Sequence, residues 1–441
     1  MDDSHQPDLI NTVYIETYGC QMNVRDTEML GGIFRQAGCD IADTPETADL
    51  ILLNTCAVRE RAEQRVIGRV TQLFSLKKRG SVRIGVVGCM AQHLKDALLE
   101  SLPDLDFVLG PDTYRTLPEL FDLDPGERRA DWSTDRKELY EGIPSWRGDG
   151  DPSAFVTVMR GCDMMCTFCV VPHTRGRERC RTWREIVSEV SQLADDGVME
   201  VVLLGQTVNA WQEGEMGFGD LLRKVSETGI PRVRFTSPHP LFYGEDELKA
   251  IAECDNVCES VHLPVQSGNT DVLNRMNRRY TREEYLQLVR AIGQSIPHVT
   301  LSTDIIVGFP GETASQFEDT LSLMEECSFD SGYLFKYSPR TGTRAEREFD
   351  DDVPADEKQR RLERVIELQT ELTRRSLSAM VGGQFEILID GTGERKPHQW
   401  TGRTRGNRTV VIESEEELLG RLVQVVIEEA GTWTLRGRLI E

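Results

Sequence analysis

Positive charge is in short supply. The 441 residues carry 51 Lys and Arg against 74 Asp and Glu, a net charge of −23, which excludes attraction of a polyanion by global charge and leaves only local clusters for phosphate contacts. Such clusters are present: Arg175, Arg177, Arg179, Arg181 and Arg184 stand against one acid, Glu178, and residues 275–282 and 402–408 contain none. Each reads either as a phosphate-contacting face or as solvated surface balancing acidic neighbours. Long apolar runs are also missing. Stretches such as VVLLG end after a few residues, far short of a membrane span. The opening, MDDSHQPDLI, lacks the basic and apolar regions of a secretory signal, so a soluble, cytoplasmic location is expected. An even cysteine count is absent too. Eleven cysteines cannot all pair, and in a reducing compartment thiolates more often serve metals or catalysis.

What is there is an ordinary globular composition, with a hydrophobic fraction of 39% and 37 glycines, in a chain long enough for about three domains. The expected fold class is α/β. An N-terminal parallel-sheet domain is expected over residues 11–125, where TVYIETYGC, DLILLNTCA and VRIGVVGCM are short β-type runs, each followed by a helical pattern. Residues 126–152, polar and rich in Gly and Pro, read as a linker. Residues 153–378 hold six further candidate strands (155–159, 200–204, 232–236, 260–265, 299–308 and 332–338), separated by helical stretches at 184–196, 244–253, 282–294 and 314–327. Right-handed crossovers would close these into an incomplete six-stranded barrel. A long helix is expected from Asp356 to about Ser378. Residues 379–441 show four short alternating strands, the pattern of a small β-barrel.

Cys20, Cys56 and Cys89 each follow the carboxyl end of one of the first three strands, where open parallel sheets bind ligands. One such cysteine is commonly a small buried hydrophobe. Three in equivalent places predict three thiols at one crevice. Further on, RGCDMMCTFCVVPHTRGR places Cys162, Cys166 and Cys169 in C-x3-C-x2-C order after the first barrel strand. Zinc would need a fourth ligand, His173 being nearest, whereas three thiolates suit a [4Fe–4S] cluster with one iron left open.

This spacing, with Phe168 before the third cysteine, resembles the radical S-adenosylmethionine superfamily. Eight motifs narrow the likeness: YGCQMN (18–23), NTCAVRE (54–60), GCMAQ (88–92), the cysteine stretch at 160–178, LLGQTVNAW (203–211), HLPVQSGN (262–269), STDIIVGFPGE (302–312) and YSPRTGT (337–343). Together they resemble the methylthiotransferases, above all the MiaB type that acts on the adenosine beside the tRNA anticodon, and the C-terminal part looks like a TRAM domain. The resemblance implies two [4Fe–4S] clusters, one on Cys162, Cys166 and Cys169 that cleaves S-adenosylmethionine, and an auxiliary one on Cys20, Cys56 and Cys89 that carries the sulfur to be inserted. It also implies tRNA as partner and an electron-donating reductase such as flavodoxin or ferredoxin; no membrane partner is expected from the short apolar runs, and a monomer is expected.

Polar residues at barrel strand ends, Gln206, Asn209, Ser237, His239, Gln266 and Asp304, are candidates to bind S-adenosylmethionine, or else satisfy loop backbone groups. Arg175, Arg177 and Arg179 beside the active site, and Arg403, Arg405 and Arg408 on the terminal barrel, are the candidate RNA contacts; that barrel has eight basic against ten acidic residues from 379 on. Cys39, Cys180, Cys254, Cys258 and Cys327 read as structural. Arg344 and Thr207 depart from the family pattern, which usually has proline and asparagine there. The rival readings are the ribosomal-protein aspartate methylthiotransferase, disfavoured by Gln21 and Met22, the threonylcarbamoyl-adenosine tRNA methylthiotransferase, and a non-catalytic iron–sulfur RNA-binding protein.

Overall fold

The computed structural model of the chain describes residues 10–57, 60–78, 82–122, 124, 126–148, 150–393 and 398–440. They fall into two compact units. The first comprises residues up to 148 together with 160–163 and 169–179, and the second comprises 149–159, 164–168 and 180–441.

The first unit is built on a parallel sheet of order β2-β1-β3-β4-β5-β6, with β1 Thr12–Tyr18, β2 Asp40–Ile41, β3 Leu50–Thr55, β4 Arg83–Gly88, β5 Phe107–Leu109 and β6 Arg129–Asp131. Helices α1 (Gln21–Gln36), α2 (Glu60–Lys77) and α3 (Cys89–Leu94) follow β1, β3 and β4. β3 (LILLNT) is buried at every residue, as a central parallel strand covered on both faces must be. The register sets Tyr18 beside Thr55 and Thr55 beside Gly88, so the carboxyl ends of β1, β3 and β4 lie in one row. The residues immediately beyond that row include Cys20, Cys56 and Cys89.

The stretch expected as a linker is folded. β6 pairs with β5, the buried Tyr140 donates its hydroxyl to the Pro111 carbonyl at 2.7 Å, and Trp146 N–H donates to the Glu28 carbonyl at 2.8 Å. Its seat on α1 is cut by Gly31 and Gly32. A Cβ at Gly32 would lie 1.8 Å from the Pro144 carbonyl oxygen, and one at Gly31 would lie 2.8 Å from Trp146.

The second unit contains six parallel strands in chain order, β7 (Ser153–Thr157), β10 (Glu200–Leu204), β11 (Arg232–Phe235), β12 (Ser260–His262), β13 (Thr300–Val307) and β14 (Ser331–Lys336). They form two three-stranded sheets, the incomplete barrel expected. Two short strands, β8 (Met159–Arg160) and β9 (Arg179–Cys180), pair at the base of the cysteine loop. The crossover helices start on side-chain caps: Thr182, Thr281 and Thr313 each accept the backbone N–H three residues on.

After the 24-residue helix Ala355–Ser378 the chain closes a barrel of five strands, β15 (Gln384–Thr392), β16 (Gln399–Thr404), β17 (Thr409–Glu413), β18 (Leu422–Ala430) and β19 (Leu435–Leu439), in order β15-β16-β17-β19-β18. The alternation in the sequence predicts four strands and misses β16, whose inward positions are Trp400, Gly402 and Thr404; Gly402 has no side chain because a Cβ would meet the Leu388 carbonyl oxygen at 2.7 Å.

The β16–β17 turn plugs the amino-terminal end of the six-stranded barrel. Arg234 of β11 donates to the carbonyls of Thr404 and Arg405, both at 2.7 Å, and Thr300 at the start of β13 donates to the Gly406 carbonyl at 2.9 Å. Arg405 forms a two-pronged pair with Glu259, just before β12. Arg408 pairs with Asp330, just before β14.

Candidate functional site

Cys20 caps α1, and its backbone N–H donates to Asn23 Oδ1 at 3.2 Å. Asn23 in turn donates to Asn54 Oδ1 (3.1 Å) and to the Thr55 carbonyl (3.2 Å), while Asn54 donates back to the Asn23 carbonyl at 2.8 Å. This buried asparagine latch fixes the Cys20 turn to the end of β3, one residue before Cys56. The latch needs Gly19, where a Cβ would sit 2.1 Å from Asn23 Oδ1. Gly88, at φ +97°, swings the chain at the end of β4 so that α3 begins on Cys89 itself.

A hydrogen bond from Cys56, helped by the Arg175 charge, brings the Cys20 thiol down to about 6. Burial pushes the Cys89 thiol up, and Arg175 opposes it. Arg175 Nε lies 2.9 Å from Cys89 Sγ. The first unit therefore sets Cys89 on the Arg175 guanidinium and Cys20, hydrogen-bonded to Cys56, within reach of its charge. Among the described residues no three His, Cys, Asp or Glu side chains close on a single metal ion.

The cysteine loop is anchored piecewise. Cys162 N–H donates to the Gly176 carbonyl at 3.1 Å, and Val171 N–H points at Cys169 Sγ at 3.4 Å, both within the first unit. In the second unit Thr167 donates its hydroxyl to the Arg275 carbonyl (2.9 Å), and Asn277 holds the carbonyls of Met164 and Met165. Arg278, engaged with Tyr280 and the Pro264 carbonyl, presents Nη1 to Cys166 Sγ at 3.4 Å. Phe168 packs on the cluster of Val272, Met276, Phe309 and Tyr337.

The strand-end residues divide. Asn209 has its amide engaged with the backbone of His239 in both directions, at 2.7 and 3.0 Å, so it positions that loop. His239 accepts from Leu241 N–H through Nδ1, which leaves the ring proton on Nε2, a buried donor without a partner among the described residues. Burial, with Arg278 and Arg279 nearby, lowers its pKa to about 2. Ser237 (φ +60°) and Gln266 (φ +73°) hold the left-handed backbone that non-glycine residues seldom adopt, a strain frequent at ligand sites. Gln206 is half-buried beyond β10. Asp304 alternates with buried neighbours on β13 and faces His262 Nε2 at 3.4 Å, while His262 Nδ1 meets Ser302 Oγ at 2.9 Å. Sequence reasoning passed over His262, although HLPVQSGN contained it; the alternation of Ser302 and Asp304 on β13 was the available signal.

Most of the arginines expected to contact RNA are engaged inside the protein. Arg175 is buried against Asp26 at 2.6 Å, and Arg179 forms a two-pronged pair with Asp112 at 3.0 and 3.1 Å. Arg405 and Arg408 belong to the plug described above. The buried guanidiniums of Arg175, Arg179 and Arg408 cannot turn to phosphate without leaving a buried charge unpaired, and Arg405 is held by both oxygens of Glu259. Of the six, only Arg177 and Arg403 are exposed, each in a surface pair, with Asp163 and Asp390.

Residues 12–110 match the family model described as uncharacterized protein family UPF0004, residues 156–324 the radical SAM superfamily, and residues 378–440 the TRAM domain. Among solved structures, the radical S-adenosylmethionine methyltransferase TsrM from Kitasatospora setae, with cobalamin and a [4Fe-4S] cluster bound, is similar at TM-score 0.56 over 77% of each chain and 14% identity. OxsB, a cobalamin-dependent S-adenosylmethionine radical enzyme, reaches 0.54 over 81% of this chain and 56% of its own. These two likenesses concern the fold alone. Sequence relatives are far nearer. The tRNA-2-methylthio-N(6)-dimethylallyladenosine synthase of Phocaeicola vulgatus is 45% identical over 96% of this chain and 95% of its own. Those of Chloroherpeton thalassium and Symbiobacterium thermophilum are 45% and 43% identical over 97% of this chain and 96% and 94% of theirs. With all three family models matched in order and relatives this similar end to end, the chain belongs to the tRNA-2-methylthio-N(6)-dimethylallyladenosine synthase family of radical S-adenosylmethionine enzymes.

Proposed function

We propose that the protein adds a methylthio group to carbon 2 of N(6)-dimethylallyladenosine at position 37 of tRNA, using S-adenosylmethionine as methyl donor and radical source. The observation that supports the sulfur-transfer half of this reading is the placement of Cys20, Cys56 and Cys89 at the carboxyl edge of one parallel sheet, with Cys20 hydrogen-bonded to Cys56 and Cys89 on Arg175. Cys162, Cys166 and Cys169 would hold the [4Fe–4S] cluster that the superfamily implies, and Cys20, Cys56 and Cys89 a second. When bound, these groups and S-adenosylmethionine supply one-electron chemistry and a transferable sulfur, which an unactivated aromatic C–H demands and side-chain acid–base chemistry cannot provide.

The chain's own residues position and shield. Arg278 steadies Cys166, Asn209 fixes the His239 loop, and the His239 Nε2–H, Gln206, Ser237, Gln266 and the half-exposed Asp304 are the polar groups offered to S-adenosylmethionine at the carboxyl end of the barrel. A reductase of the flavodoxin or ferredoxin class would supply the electron, in the cytoplasm, to a monomer. Residues 11–125, 153–378 and 379–441 are proposed as the sulfur-carrying, radical and RNA-gripping parts.

Two variants test the assignment. Alanine at Cys162, Cys166 and Cys169 halves the iron from roughly eight per chain and abolishes S-adenosylmethionine cleavage. Alanine at Cys20, Cys56 and Cys89 leaves 5′-deoxyadenosine production intact and ends sulfur insertion, read by nucleoside mass spectrometry of the tRNA. Methylthio product from the second variant would sink the reading.

A further inference from the structure

Asp26 of α1 is wholly buried and faces two guanidiniums, Arg175 at 2.6 Å and Arg160 at 3.5 Å, with the Tyr114 hydroxyl at 3.5 Å. Arg160 and Arg175 are themselves buried. One carboxylate against two guanidiniums leaves one positive charge uncompensated inside the first unit, and an unbalanced buried charge is costly. Arg179 offers no relief, since it is matched to its own acid, Asp112. Of the two guanidiniums, Arg175 is the one that also touches sulfur. Nη2 goes to Asp26, Nε to Cys89 Sγ at 2.9 Å, and Nη1 is buried with no partner among the described residues. A rigid planar donor fork with one prong on a carboxylate, one on a thiol and one unfilled describes a site awaiting an anion.

We propose that Arg175, aimed by Asp26, is the positioning residue of the sulfur-transfer site: Nε–H donates to the Cys89 thiolate and Nη1–H to a second, non-protein anionic sulfur on the group that the triad holds. The inference rests on the proposed assignment of Cys20, Cys56 and Cys89 to an iron–sulfur cluster, and it adds a charge partner that the cysteine motifs do not contain. Hydrogen bonds and positive charge at sulfur favour the electron-rich state of a cluster, so Arg175 raises its reduction potential.

The test uses the full chain with alanine at Cys162, Cys166 and Cys169, so that the remaining iron belongs to the first triad. Its midpoint potential is measured by potentiometry with electron paramagnetic resonance, with Arg175 intact, as Arg175→Gln and as Arg175→Lys. The glutamine variant is expected to shift the potential negative by about 59 mV or more, a tenfold or greater change in the one-electron equilibrium. Lysine, which keeps the charge but not the fork, shifts it by less and in the same direction. Should glutamine prevent iron binding, the lysine variant decides by the sign of its shift. Wild-type potential in every variant that holds iron overturns the role of Arg175. Absence of iron when Arg175 is intact overturns the triad assignment instead.

Discussion

A guanidinium is read very differently by sequence and by structure. RGR and GRTRGNR look like phosphate-binding clusters, yet Arg175, Arg179, Arg405 and Arg408 each face a carboxylate brought near only by the fold: Asp26, Asp112, Glu259 and Asp330. The placement of Cys20, Cys56 and Cys89 was legible because it depends on strand ends alone. The arginines were not, because their partners lie tens of residues away. Arg408→Ala is therefore expected to lower stability by about 3–5 kcal/mol, the cost of orphaning a buried partner, seen as an earlier thermal transition, while leaving the salt dependence of tRNA binding unchanged. His239 gives a pH signature. Its pKa falls from 6.5 to about 2 on folding, so the unfolded chain binds the extra proton; its contribution is whole above pH 6.5 and is lost as pH falls toward 2. Relative to His239→Gln, the wild type should lose about 1.4 kcal/mol per pH unit between pH 6 and 4, measured by denaturant unfolding of the apo protein.

At the level of elements, the βα alternation and the long helix could be read directly, since hydrophobic period and length both spoke. Two elements escaped. β16 was hidden by Gly402, Arg403 and Arg405, residues that look like a turn but serve a tightly curved strand and the plug beyond it. The 126–148 stretch was hidden by its polarity, although the Gly31-Gly32 pair inside an otherwise sound helix was a signal that some backbone approaches there. Gly32→Ala is expected to unseat that stretch, because the obstruction is the Pro144 carbonyl and cannot rotate away; increased amide exchange at Tyr140 and Trp146 would report it. Gly406→Ala is milder. Its Cβ would meet Thr300 Cγ2 at 2.6 Å, an overpacking worth about 1–3 kcal/mol. Thr300→Ser, which deletes that methyl and keeps the hydroxyl bonded to the Gly406 carbonyl, should recover most of the stability in a double-mutant cycle.

Over the whole molecule the net charge of −23 gives a polyanion no long-range attraction, and Arg405 and Arg408 of the terminal barrel are committed to carboxylates. Among the described residues of the terminal barrel, Arg403, Arg421, Arg436 and Arg438 are exposed and sit in surface pairs that are cheap to break. Trp433 stands 59% exposed in the β18–β19 turn, a platform on which an unstacked base can lie. Alanine at all four arginines should weaken tRNA binding and flatten the log–log salt slope, by nearly one unit for every phosphate no longer neutralised. The same change at Arg405 and Arg408 should leave the slope as it is.

One loop, residues 160–179, bears the cysteines of one triad and also Arg175, whose side chain lies on Cys89 of the other. The two chemistries are thus not separable at a simple joint. A chimaera that takes its first 150 residues from a distant relative and keeps this barrel would pair a foreign Asp26 and Cys89 with a resident Arg175. Any recombination that is to preserve sulfur transfer must inherit residues 169–179 along with the amino-terminal sheet, so the natural unit of exchange is discontinuous in the gene.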